Sequence, residues 1–167
     1  GGAMQAIDTS ALRYDRTAAD TYEAADLNRV GAMCATIAAA AEAEIAALAA
    51  MRTQYGTADS DFTLPDFTVP TVTAKTDFAV TDTYTLEQMQ QYLLNIENIV
   101  AHFPPAEFQA LPADMRFLLA AFANAIEWDL KQCAENLKSR ADLTEANIKN
   151  TAAAFAYSGE IFAGGIL

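Results

Sequence analysis

Between Tyr22 and Tyr55 the chain carries a seven-residue rhythm of apolar positions, Leu27, Val30, Cys34, Ile37, Ala41, Leu48, Met51 and Tyr55, without a proline. That period belongs to a helix with a buried seam. Most of the remaining surface is alanine, so whatever packs against this helix must approach its backbone closely. Asp20 and Thr21 are suited to cap a start near Tyr22, and Gly56 to stop the helix after Tyr55. The expected length is ~50 Å at 1.5 Å per residue. Two positions resist the pattern. Glu44 takes a seam place beside Ile45, and Gly31 costs about 1 kcal/mol relative to alanine inside a helix.

The chain has 167 residues, 53% of them hydrophobic and 19% charged. This is enough to bury a core in one domain spanning 1–167, and too apolar for global disorder. Ten basic against 22 acidic residues leave a net charge of -12, which repels phosphate backbones and anionic lipid. No nucleic-acid partner and no membrane insertion are expected, and the alanine run is broken by Glu42 and Glu44 before it reaches the ~20 apolar residues of a span. Cys34 and Cys133 each fall on an apolar stripe without a Cys-x-x-Cys pair, and read as free buried thiols. Gly1-Gly2-Ala3 reads as a leftover of cloning, with Met4 as the natural start and no signal peptide.

From Thr57 to Asp82 the pattern changes. Phe62, Leu64, Phe67, Val69, Val72, Phe78 and Val80 alternate with polar residues, while Pro65 and Pro70 exclude a regular central strand. This predicts an extended crossover packed along the helices, with a short strand at each end. A second helix opens at Thr85, where Gln88 completes a capping box, and steps through Leu86, Met89, Leu93, Ile96, Val100 and Phe103 until Pro104-Pro105. A third is expected from Pro112, burying Met115, Leu118, Phe122, Ile126, Leu130, Cys133 and Leu137. Asp142 or Thr144 either caps a fourth segment with Ile148 and Ala152, or lies inside a continuous third helix. Asp20-Thr21-Tyr22 and Asp82-Thr83-Tyr84 precede the first two helices alike, which similar capping explains more simply than duplication.

The C-terminus, residues 154–167, is apolar, aromatic and punctuated by Gly159, Gly164 and Gly165. Alternating Phe155, Tyr157 and Phe162 suggest a short strand or hairpin. Its unpaired edge needs a partner, either the chain's own core or another subunit. Phe155, Tyr157, Glu160, Ile161 and Phe162 form the candidate interface.

Chemistry leaves few openings. His102 is the single histidine and sits at a helix end, where a cation complements the terminal carbonyls. The Glu-x-x-His pairs of carboxylate metal sites do not occur. Asp59, Asp61 and Asp66 lack the glycine and terminal glutamate of a calcium loop. Ser158-Gly159 lacks the context of a nucleophile elbow. Glu127 and Asp129 flank Trp128, but consecutive helical residues do not face one another, and Trp128 reads as a core or interface anchor. No cofactor, metal or catalytic residue is expected.

Asp15-Arg16-Thr17, Asp26-Leu27-Asn28-Arg29-Val30, Gln88 to Leu93, Ala123-Asn124-Ala125-Ile126-Glu127 and Tyr157 to Phe162, in that order, resemble a small helical module. That module occurs in tail-fibre and minor structural proteins of phages and prophages of Gram-positive bacteria. Phe78 stands where such a module has a tryptophan. The resemblance implies a noncatalytic virion part made in the bacterial cytoplasm and placed in the tail, with other tail or virion proteins as partners and homo-oligomer formation as an option. The alternative is a standalone bacterial protein that binds a host factor or peptide. The fold expected is mostly α: three or four long helices, a proline-containing crossover and a short C-terminal strand or hairpin.

Overall fold

The computed structural model describes residues 3–57 and 68–163, the side chains of Phe155 and of 157–163 excepted. The chain is mostly helical, with α1 at Ala24–Gln54, α2 at Leu86–His102 and α3 at Ala120–Ala163, and no strand among the described residues. Each helix packs on the other two. The core between them includes Leu27, Val30, Ile37, Ile96, Ile126 and Leu137, and a smaller cluster of Leu48, Met51 and Ile148 lies further along α1 and α3. Cys34 and Cys133 are free and buried, and burial pushes both thiols up to about 12.

The helices run in one direction. Arg29 meets Glu127 near the starts of α1 and α3, and Glu44 meets Glu145 farther along both. The Tyr92 hydroxyl on α2 pairs with that of Tyr22, just ahead of α1, whereas Arg140 of α3 donates to the carbonyl of His102 at the end of α2. Short turns join antiparallel helices; parallel neighbours require the chain to travel back each time. Three extended straps do so. Residues 4–22 run back along α3, from Met4 at Glu145 to Arg16 at Asn124. Residues 68–84 run back along α2 and α1, with Thr71 at Asn98, Thr73 at Asn95 and Phe78 at Asn28. Residues 103–119 return past Trp128 and Asp129.

This return path explains where the third helix starts. A helix from Pro112 would advance 1.5 Å per residue where an extended chain gains ~3.3 Å, and residues 103–119 must recross the length of α2. The helix therefore begins at Ala120, and Met115 and Leu118 pack half-buried from the strap. Beyond it α3 is continuous: Thr144 and Thr151 donate back to the carbonyls of Arg140 and Asn147 instead of capping a new segment.

The C-terminal strand expectation is overturned over 154–163, which are helical, because an existing helix propagates at low cost through alanine-rich sequence such as Ala152-Ala153-Ala154. Residues 164–167 lie outside the described residues.

At the other boundaries, Thr85 and Gln88 form the expected capping box. The cap of α1 is Glu23, paired reciprocally with Asp26; Asp20 instead closes a turn by accepting from the Thr17 N–H. Gly56, at φ 69°, takes the left-handed conformation that ends α1. Leu86 was expected inside but is 61% exposed. The crossover shows no terminal strands among its described residues, and Phe78 packs into the core as expected. Phe62, Leu64 and Phe67 lie outside the described residues.

Candidate functional site: a buried ion cluster beneath the first strap

The Glu127 carboxylate is fully buried on α3 and accepts from four donors. They are the Arg13 N–H at 3.0 Å, the Arg29 Nε and Nη2 at 2.6 and 2.8 Å, and the Arg16 Nη2. Asp26 Oδ1 receives the same two guanidiniums, from Arg16 at 2.8 Å and Arg29 at 2.7 Å, while its Oδ2 takes the Glu23 N–H. Arg16 also donates to the Arg13 carbonyl and lies over the Tyr22 ring. Two cations and two anions thus close a neutral cluster joining the first strap, α1 and α3.

Burial opposes the charge on Arg16, yet its hydrogen bonds to Asp26 and Glu127, with their negative charges, outweigh it and raise its pKa. For Arg29 the bond to Glu127 is the leading cause of the upward shift. Burial likewise opposes ionisation of Asp26, and Arg16, the Glu23 N–H and Arg29 together overcome it, leaving the carboxyl below its ordinary value. Tyr22 and Tyr92 are pushed up by burial and stay protonated, joined through their hydroxyls. Arg16, Arg29 and Asp26 therefore remain charged near neutrality. The Arg16 side chain is 2% exposed and Glu127 0%, so no substrate reaches them; what the cluster can do is fix three chain segments in one register. One atom, the Arg16 Nε, is buried without a partner.

Beside the cluster, the Asn124 amide clamps Arg16 through both backbone groups, accepting from its N–H and donating to its carbonyl, each at 3.0 Å. Asn28 does the same to Phe78 at 2.8 and 3.0 Å, and Asn95 to Thr73 at 2.9 Å twice. An amide side chain offers a donor and an acceptor with the spacing of a neighbouring strand, so helices hold extended chain without any sheet. Gly31 serves the same purpose by absence: an added methyl would overlap the Lys75 carbonyl oxygen.

Arg29 and Asn28, which as helix-surface or capping residues would need no partner elsewhere, are tied into these contacts. Glu127 and Asp129, set aside as neighbours that cannot face one another, are both buried with separate partners; Asp129 accepts the Gln109 N–H at 2.9 Å, and burial pushes it up to about 6. Trp128 anchors the third strap through its Nε1 bond to the Glu107 carbonyl and packs edge-on to Tyr14. His102 ends α2, its Nδ1 at 2.9 Å from the Asn98 carbonyl.

The backbone of Phe155, Tyr157, Glu160, Ile161 and Phe162 lies in the last turns of α3, and their side chains are outside the described residues, as are Asp59, Asp61 and Asp66 entirely. Among the described residues no group of three or more His, Cys, Asp or Glu side chains is placed to hold a metal. By length and composition α1 also meets the bar for a membrane span, contrary to the reading of its interruptions, but core helices meet it equally. No protein-family model, curated protein or solved structure matches the chain.

Proposed function

We propose that the chain is a noncatalytic structural and assembly protein of a phage or prophage tail. The observation that carries this reading is the convergence of three of the five segments on which the resemblance rests. Asp15-Arg16-Thr17, Asp26 to Val30 and Ala123 to Glu127 supply the cations, anions and clamping amides of one closed cluster. Residues spent on mutual neutralisation build rigidity, which a virion part requires. In this role the chain is made in the bacterial cytoplasm and joins other tail proteins, or copies of itself, through the C-terminal turns carrying Phe155, Tyr157, Glu160, Ile161 and Phe162.

The test is mass spectrometry of density-purified phage-like particles induced from the source bacterium, with the soluble lysate alongside. Stoichiometric recovery in particles is expected. Recovery only from particle-free lysate overturns the tail role and favours the second reading, a standalone protein that binds a host factor or peptide. The observation favouring that second reading is an apolar groove beside α2.

A further inference from the structure

We propose that the groove between α2 and residues 113–116 docks an extended segment of another polypeptide, apolar and basic in alternation, with its backbone clamped by the Gln90 amide. The proposal follows from the groove's own geometry and does not rest on a tail role.

The molecule repeats one device. Asn28 and Asn124 are the fifth residues of α1 and α3. The residues they clamp, Phe78 and Arg16, each stand eight positions ahead of the helix that their strap leads into. The fifth residue of α2 is Gln90, and the residue eight positions ahead of α3 is Pro112. Proline has no N–H, so the third strap cannot take a clamp through both groups there. Gln90 is exposed, lines the space on both sides of α2, and its side chain makes no hydrogen bond to any described residue. The clamp is present at the third position and its strand is missing.

The surroundings define the occupant. The groove encloses ≈ 880 Å³ between Met89, Leu93 and Met115, with Leu86 and Leu94 one turn to either side of Gln90 and 61% and 46% exposed. An extended peptide presents alternate side chains to such a floor. Glu97 stands exposed on its wall, and the nearby Arg116 is already paired with Asp114 at 3.0 Å. A basic segment complements that rim, whereas a second copy of a chain with net charge -12 is repelled.

The experiment titrates the full chain, followed by NMR, with terminally blocked peptides of about seven residues, a length that spans ~23 Å when extended. One alternates leucine with lysine, a second replaces lysine with glutamate, and a third carries N-methyl groups on alternate backbone nitrogens of the lysine peptide. The lysine peptide is expected to bind and shift the Gln90 side-chain amide. Binding should weaken about tenfold with Gln90→Ala and with the N-methylated peptide, and at least as much with the glutamate peptide. Leu94→Asp adds negative charge and should nevertheless weaken binding, which separates groove docking from diffuse attraction. Both positions are exposed, so an unchanged melting curve verifies that the variants fold. Absence of binding, indifference to Gln90→Ala or to N-methylation, equal binding of the glutamate peptide, or tighter binding by Leu94→Asp overturns the proposal.

Discussion

Glu127 carries four hydrogen bonds and two guanidiniums on one buried carboxylate. Glu127→Gln removes the charge while keeping the shape, leaving Arg16 and Arg29 with Asp26 alone. Breaking a buried pair in this way costs ~3–5 kcal/mol, and a matching fall in unfolding free energy in denaturant is expected. A change below about 1 kcal/mol, the range of an exposed pair, would show that the cluster is solvated. Gly31 gives a sharper case because two effects oppose each other. Helix propensity favours Gly31→Ala by about 1 kcal/mol, but the Lys75 carbonyl fills the space of the new methyl, so the melting temperature should fall. A rise would mean that the second strap yields easily. The sequence does hold a trace of such residues: Glu44 stands on the α1 seam, and Glu127 lies in helical register with Ala123, Leu130 and Ala134, all buried. A charge on an apolar stripe marks a buried partner, but its identity comes from elements about a hundred positions away.

At the scale of elements, the straps depend on single amides. Asn28→Ala deletes both bonds to Phe78 and leaves its backbone groups unpaired, a loss of about 2 kcal/mol at ~1 kcal/mol per bond. Hydrogen exchange should show the Phe78 N–H losing protection before the amides of α1 and α2. Equal loss across the helices would mean that strap and core open together. Elements with local signatures were legible: the Thr85–Gln88 box, the stop at Gly56 and the seam of α1 are written in adjacent residues. The parallel course of the helices is not, since nothing in a helical period states direction. With direction unknown, Pro112 looked like a helix start when it lies within a return path, and the C-terminal aromatics looked like a strand when the preceding alanines carry the helix through them.

For the molecule as a whole, the balance of buried carboxyls sets a pH dependence. Glu44 faces Glu145 across α1 and α3, with Asp142 and Lys138 nearby; burial first, then the bond to Glu145, push it up to about 7. Its folded value exceeds the ordinary 4.5, so the folded state keeps a proton that the unfolded chain releases. Its contribution is full below about 4.5 and is lost as pH rises through about 7, and Asp129 behaves alike from 3.8 to about 6. Asp26, held low, acts oppositely and loses its contribution in acid. Stability should therefore decline from about pH 4.5 to about pH 7 by ~1.4 kcal/mol for each unit of upward shift crossed. Glu44→Gln should flatten that decline in denaturant melts, and an unchanged slope would count against the shared proton.

The first strap also fixes an order of events in time. Arg16 finds Asn124 and Glu127 across separations of 108 and 111 residues. Synthesis at roughly 5–20 residues per second leaves a delay of several seconds before those partners emerge. Until then α1 has neither its ionic cluster nor the third helix against its alanine seam. A strap made about a hundred residues before its partners is among the last segments to be held.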